Sequence, residues 1–529
     1  MTQDPKALSK ARSPRSALAV VVACALALAL AACGGGGSGQ AETPVSGALT
    51  CPAAPSGEPA LSLAGVAVAS LSADKAWLSQ TMAADYLWPD EIPGVDPNAA
   101  RFSDADMAWE SLTNYFSALL TPGVDAQGRP QDRFSFAYPT QAWERLADGG
   151  VQIGYGVEWS IESPTPPRQV RVAYVMPGSP AALAGLKRGD RVLSVNGVST
   201  DVNTSAGVAT LVGALFPQTA CATDFNLSRD GESLPPARLA ATEVVKTSAL
   251  ATRVIEAGNG RKVGYVAFLE HFGDAEARMT EAFTQFQQAR VDELVLDLRY
   301  NGGGYLYIAS QVAYMVAGAD RTRSKDFTRL QYNARRSADT ADSNLPFLGT
   351  RCVPGTDGYC TSTDPLPQLA LTRLYVLTSE ATCSASESIV NGLFGIDVEV
   401  VLIGATTCGK PYGFTAKERS GISYFPIEFS SANHKGYSDY AYGFEPGCQA
   451  TDDLEHDLGD TAEAMLATAL AHQSLGRCPA GTMVGQSSVQ GARRWAERLG
   501  LRPPVLGVGM RSSRAERILA ERERRVSSP

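Results

Sequence analysis

Two hydrophobic periods divide this chain. From Ser72 to Gly149 the large apolar residues Trp77, Met82, Tyr86 and Trp88, then Met107, Leu112, Tyr115 and Leu119, recur at helical spacing and predict a helical bundle. Between residues 150 and 243 the pattern shortens to β-rich runs broken by glycine turns. Val172–Val175 reads as a strand, residues 177–186 as a turn and short helix, residues 189–197 as a turn, strand and hairpin, and Thr204–Leu215 as a helix. From about Thr252 continuous apolar runs alternate with longer amphipathic stretches, which is the mark of an α/β layer. The strands are Val263–Phe268, Glu293–Leu298, Leu374–Leu377 and Val398–Ile403; the helices are Asp274–Ala289, Ser384–Leu393 and Thr461–His472. Residues 319–370 read as an irregular insertion over the cleft.

Before the first helix lies an address. Lys6, Lys10, Arg12 and Arg15 precede the apolar run Ala17–Ala32, too short for a comfortable membrane span but suited to a signal peptide. Its ending, Leu30-Ala31-Ala32-Cys33, resembles the bacterial lipobox, which implies a lipid on Cys33 and a place in the bacterial envelope. Gly34 rather than aspartate after it implies the periplasmic face of the outer membrane. The expected divisions are a signal peptide over 1–32, a flexible tether over 33–71, a helical domain over 72–149, a β domain over 150–243, the α/β core over 244–478 and an Arg-rich, disordered tail over 479–529.

Composition narrows the chemistry. With 529 residues and 44% hydrophobic content the chain can bury a large core, and a net charge of −9 argues against nucleic acid, which needs a concentrated basic surface. The four histidines are scattered and outside the motifs below, so no metal site or other cofactor is expected. Eight cysteines follow Cys33, an even number that suggests disulfides in an oxidising compartment. Cys352–Cys360 is the easiest local pair.

The candidate site lies where strands end. Ser384-Ala385-Ser386-Glu387 fits a capping box at a helix start, and Lys410 sits in a loop of small and apolar neighbours, Thr407 to Gly413. A lysine kept from water loses its preference for the charged form and can serve as a neutral base, which a serine hydroxyl needs before it can attack. Arg299-Tyr300-Asn301-Gly302-Gly303-Gly304 directly follows another strand and lets backbone N–H groups approach a ligand. Asp297 and Arg299 read as structural groups that fix this turn. Gly404 to Lys410 also imitates a phosphate-binding loop, but Pro411 replaces the residue that would hold magnesium.

Residues 293–304, 382–393 and 404–413 together resemble the C-terminal processing, or tail-specific, serine proteases of the S41 type, and the likeness extends over roughly 75–475. It implies a layered α/β core of the ClpP/crotonase kind, with an N-terminal helical bundle and an inserted PDZ domain. It also implies a serine endopeptidase acting on exported polypeptides, with Ser384 as nucleophile (Ser386 as the other register), Lys410 as general base, Gly303 and Ala385 as oxyanion donors, and Glu387 and Thr407 in support. Residues 150–243 resemble a bacterial PDZ domain, whose Gly154-Tyr155-Gly156-Val157 loop would hold a substrate's terminal carboxylate. Tyr86–Pro89 and Asp132–Ser135 resemble signatures of the helical region without assigned chemistry. Many relatives place a glutamine four residues after the lysine; Phe414 stands there in this chain, so a dyad is expected rather than a triad. If Ser384 and Lys410 meet, Cys383 and Cys408 come close enough to bridge. The alternative is an inactive lipoprotein scaffold that binds peptides, and an adaptor lipoprotein is a further partner to consider.

Overall fold

The computed structural model describes residues 50–53, 63, 65–163, 165–258, 260–354 and 360–479. The signal peptide, Cys33 and nearly all of the 479–529 tail lie outside them, as do the side chains of Cys352 and Cys360.

Six strands form the central sheet, in the order Ala249–Glu256, Lys262–Phe268, Glu293–Asp297, Arg373–Thr378, Glu399–Gly404 and Cys448–Gln449. The first pair is antiparallel and every later pair parallel. Because side chains alternate across a strand, each run serves two cores. Val266, Phe268, Leu294, Leu296, Leu374 and Val376 face one side, under the helices Ala275–Ala289, Leu306–Ala317 and Ala385–Phe394. Val263, Tyr265, Ala267, Val295, Tyr375 and Leu377 face the other, against Met465, Leu466 and Ala469 of the helix Ala464–Leu475. This is why the core strands read as unbroken apolar runs: both faces are covered.

Residues 150–245 form a separate β domain whose strands run in the order Val151–Gly154, Ala237–Val245, Cys221–Arg229, Arg191–Val195, Arg171–Val175 and Val157–Ser160. It has its own core, built around Trp159, Val172, Val192, Leu211 and Phe225. Thr204 caps the helix Ser205–Leu215 by accepting from the Gly207 N–H at 3.2 Å.

The helical region does not close its core alone: Leu78, Met82, Tyr86, Leu112 and Phe116 share one apolar cluster with the α/β core. Its strand Phe136–Pro139 pairs antiparallel with Ile422–Phe425 of that core. Three short helical segments cannot cover so many aromatic rings alone, so the rings find their partners in the sheet beyond. The 33–71 stretch is not a tether throughout, since Cys51 is disulfide-bonded to Cys221 and the Ala67 N–H bonds the Ser420 carbonyl at 3.0 Å. The 319–370 insertion contains paired strands where an irregular path is expected: Asp326–Tyr332 pairs with both Asn344–Pro346 and Phe429–Ala432, and Thr350–Pro354 with Cys360–Pro365.

Candidate active site

The three site segments leave the same edge of the sheet because their strands are parallel neighbours in register. Asp297 lies opposite Leu377, Leu377 opposite Ile403, and Thr378 opposite Gly404. The glycine turn therefore starts at Leu298, the serine loop at Ser379 and the lysine loop at Ala405, side by side at the carboxyl ends where such sheets carry their ligands.

Loop-to-loop bonds then draw them together. The Cys383 N–H donates to the Asn301 carbonyl at 3.1 Å, the Cys408 N–H to the Thr382 carbonyl at 3.0 Å, and the Thr382 hydroxyl to the Leu298 carbonyl at 2.8 Å. Cys383 and Cys408 form a disulfide with Cα atoms 5.2 Å apart. Glu387 completes the clamp. Its Oε1 accepts from the Thr407 hydroxyl at 2.6 Å and the Gly409 N–H at 2.9 Å; its Oε2 accepts from the N–H groups of Ser384 at 2.8 Å and Lys410 at 2.9 Å. One carboxylate oxygen thus holds the backbones of both dyad candidates. Burial pushes the Glu387 carboxyl above the usual range, against the pull of those donors.

Ser384 and Lys410 are both 0% exposed. Ser384 starts its helix at φ 62°, ψ −113°, a region that non-glycine residues rarely occupy, and this turns it sharply out of the strand-to-helix path. Ala385 follows as the first helical residue, whose N–H has no intrahelical acceptor. Ser386, the other register, donates to the Asn301 carbonyl at 3.1 Å and so fastens the helix to the glycine turn. The lysine Nζ lies over two rings, 4.3 Å from the centre of Phe414 and 5.0 Å from that of Phe134.

Gly303 is the other expected oxyanion donor. Its N–H donates to Asn301 Oδ1 at 2.9 Å, because the asparagine folds back over the turn that the glycine's φ of 103° allows. In this arrangement the donor is turned onto the protein itself. Asn301 Nδ2 bonds the Phe268 carbonyl at 2.9 Å, and His271 Nδ1 lies 3.0 Å from Oδ1. Since Oδ1 is an acceptor here, His271 carries its proton on Nδ1. Burial lowers the imidazole pKa to about 3, which leaves it a neutral brace beneath the turn.

Behind the turn lies a buried ion network that only tertiary structure reveals. Arg299 bonds Asp297 at 3.0 Å, Asp452 at 2.9 Å and both Glu463 oxygens at 2.7 and 2.9 Å. Arg188 of the β domain reaches the same cluster, donating to the Tyr300 hydroxyl at 2.5 Å and to Asp452 at 2.6 Å. Burial raises Asp452 and Glu463, but the arginines outweigh it and hold both below their ordinary values. For Asp297 burial prevails and the pKa rises. Asp297 and Arg299 have the structural role that the sequence predicts; the further Arg299 partners, Asp452 and Glu463, lie more than a hundred residues away, and local pattern carries no signal of them.

In the β domain, Tyr155 does not face a ligand with its side chain. Its hydroxyl is used within the core, donating to the Ala214 carbonyl and accepting from the Thr223 hydroxyl, both at 2.8 Å. What remains for a peptide is the loop backbone. Gly156, at φ 75°, has no room for a side chain against Ser179. A cleft runs along Gly154–Val157 and Leu215–Gln218, with Gln141 and Arg145 of the helix Thr140–Gly149 forming its far wall.

A layered α/β core delivering a helix-start serine and a sealed lysine to one sheet edge, with a small β domain ahead of it, defines the class of protein. Comparison gives the likeness. Residues 262–422 match the model of peptidase family S41 and residues 171–211 that of the PDZ domain. It is 25% identical over 315 residues to the carboxyl-terminal-processing protease of a Picosynechococcus species, covering 58% of this chain and 63% of that one. It is 27% identical over 312 residues to the chloroplastic carboxyl-terminal-processing peptidase 3 of Arabidopsis thaliana, covering 58% and 53%. The chain thus spans less than two thirds of the length of these curated relatives. A solved structure from Bacteroides fragilis assigned to the S41 proteases shares the fold, with a TM-score of 0.57 at 23% identity over 75% of this chain and 97% of that one.

Glu387→Gln tests the clamp. The amide would turn an N–H₂ toward a backbone N–H whichever way it is oriented, so a loss of about 2–3 kcal/mol in urea unfolding is expected, together with loss of any turnover. An unchanged urea midpoint would show that the four bonds hold nothing.

Proposed function

We propose that the chain is an exported serine endopeptidase that cleaves polypeptides through a Ser384–Lys410 dyad and recognises their C-terminal tails through its PDZ domain. The observation that carries this reading is that Ser384 and Lys410, from two loops, are enclosed at 0% exposure and tied to one oxygen of Glu387. A lysine so enclosed can lose its proton near neutrality, because burial disfavours the ammonium. Lys410 takes the hydroxyl proton as Ser384 attacks the peptide carbonyl and the Ala385 N–H at the helix start receives the oxyanion; Lys410 passes that proton to the amine that leaves as the C–N bond breaks, and water, deprotonated by Lys410, then releases the acyl group with the proton returning to Ser384. Gly303 joins as second donor once Asn301 Oδ1 lets its N–H go. The enclosure of Ser384 makes the described arrangement a resting one, which substrate must open. Thr407 acts on the lysine loop, its hydroxyl donating to Glu387 and accepting from the Phe444 N–H at 2.7 Å.

The signal-like start and Cys33 support a lipid-tethered enzyme of the bacterial envelope, with an adaptor lipoprotein among its partners. Tail recognition is tested with one peptide in two forms, free acid and C-terminal amide. The free acid should be cleaved with a KM at least about tenfold lower. Equal KM values would remove the PDZ domain from recognition and leave the dyad standing.

A further inference from the structure

The cleft between the β domain and the helix Thr140–Gly149 is lined by neutral groups with one exception. Ile153, Val157, Leu215 and Phe216 make it apolar beside the Gly154–Val157 loop, and among the described residues lining it Arg145 alone has a charged side chain. Helical periodicity puts the arginine there. Trp143, Leu146 and Ala147 are buried, Trp143 against Phe272 and Phe425 of the core with ring centres 5.9 and 4.9 Å away, so Gln141 and Arg145, four residues apart, share the exposed face. At rest the guanidinium pairs with Glu243, which stands opposite Ile153 in the strand pairing, one residue short of the loop. The two side chains are 48% and 62% exposed, so water screens the pair and another carboxylate can replace Glu243 at little cost.

The loop is turned to meet such a carboxylate. The Tyr155 carbonyl accepts from the Ala181 N–H at 3.0 Å and the Gly156 carbonyl from the Met176 N–H at 2.7 Å. In a planar trans peptide unit the N–H lies opposite the carbonyl, so the Gly156 and Val157 N–H groups face away from those partners. Val157 also opens the edge strand of its sheet.

We propose that Arg145, which belongs to the helical region and not to the β domain, supplies the positive charge that pairs with the terminal carboxylate of a substrate tail seated on the Gly154–Val157 loop, taking the place of Glu243. This rests on the tail-recognition reading. The backbone N–H groups fix where the carboxylate lies, and the arginine adds a charged fork that matches its two oxygens. Lys246, just past the strand that carries Glu243, is engaged elsewhere, its Nζ 3.6 Å from Glu270. The tail is therefore read from two sides, by the β domain and by a helix that Trp143 fastens to the core.

The test uses the full chain carrying Ser384→Ala, so that nothing is cleaved, and the fluorescence anisotropy of a short labelled peptide ending in valine, as free acid and as C-terminal amide. This parent should bind the free acid at least about tenfold more tightly than the amide. Adding Arg145→Gln should weaken the free acid by about tenfold and leave the amide unchanged. Adding Glu243→Gln instead removes the competing carboxylate and should tighten the free acid about twofold. Salt should erode the preference for the free acid in the parent and not in the Arg145→Gln variant. If the parent prefers the free acid and Arg145→Gln keeps the same preference, the role of Arg145 is overturned while tail recognition stands. Equal binding of both forms by the parent, or none, would remove tail recognition and this proposal with it.

Discussion

Ser384→Ala is expected to lower kcat by on the order of 10⁴-fold or more, with KM nearly unchanged, because the change removes the attacking atom and leaves the binding surfaces intact. Its backbone bond to Glu387 survives the substitution, so the helix start should persist and circular dichroism should match wild type. Lys410→Met, which keeps the stem between the rings and removes the amine, should lose a similar factor, and the double variant little more, since the two groups act as one unit. Ser386→Ala gives the internal contrast. Its hydroxyl serves the Asn301 carbonyl, so about 1 kcal/mol of stability and less than tenfold in kcat are expected. Equal losses in Ser384→Ala and Ser386→Ala would show that the register is misassigned.

Arg299→Met should destabilise the fold by about 3–5 kcal/mol at neutral pH, as expected when one member of a buried ion cluster is removed and the others stay. Asp297, Asp452 and Glu463 would remain behind the glycine turn with Arg188 as their remaining arginine. The pH dependence follows from the shifts. Asp452 and Glu463 have folded pKa values below their unfolded ones, so their contribution is present above the unfolded carboxylate range and lost as pH falls through the folded values. In the variant these carboxylates lose Arg299, so protonation relieves their repulsion. The gap between wild type and variant should be widest near neutrality and narrow steadily as the pH falls into the carboxylate range. Thermal melts between pH 3 and 8 check this; a gap independent of pH would mean that the cluster contributes by packing alone. Because Tyr300 joins this cluster to Arg188 of the PDZ domain, the same variant should loosen the seating of the glycine turn.

The strands and helices of the core were legible because both faces of the sheet are covered: ELVLDL and LYVL have no polar alternation to confuse with a loop. The serine and lysine were legible because each stands a few residues past such a strand. What local pattern lacked was the tertiary partner. The aromatic rings of 72–149 announce helices but not the sheet that completes their core, and Cys51 reads as part of a loose lead-in until Cys221 is seen across from it. Tyr155 fits a peptide loop by position, yet its hydroxyl finds better partners inside. Gly303 was read from its freedom of φ, and the same freedom lets Asn301 take its N–H. His271 gave no signal, since a single histidine between Glu270 and Phe272 belongs to no motif and is equally at home in any core.

The account depends most on the bond that Ser384 forms. Full chain mixed with an activated ester and acid-quenched within the first turnover should yield a peptide containing Ser384 heavier by the acyl group, with no such species from Lys410→Met. An acyl group on Ser386 or elsewhere, or cleavage of the ester with no covalent species at any quench time, would contradict it.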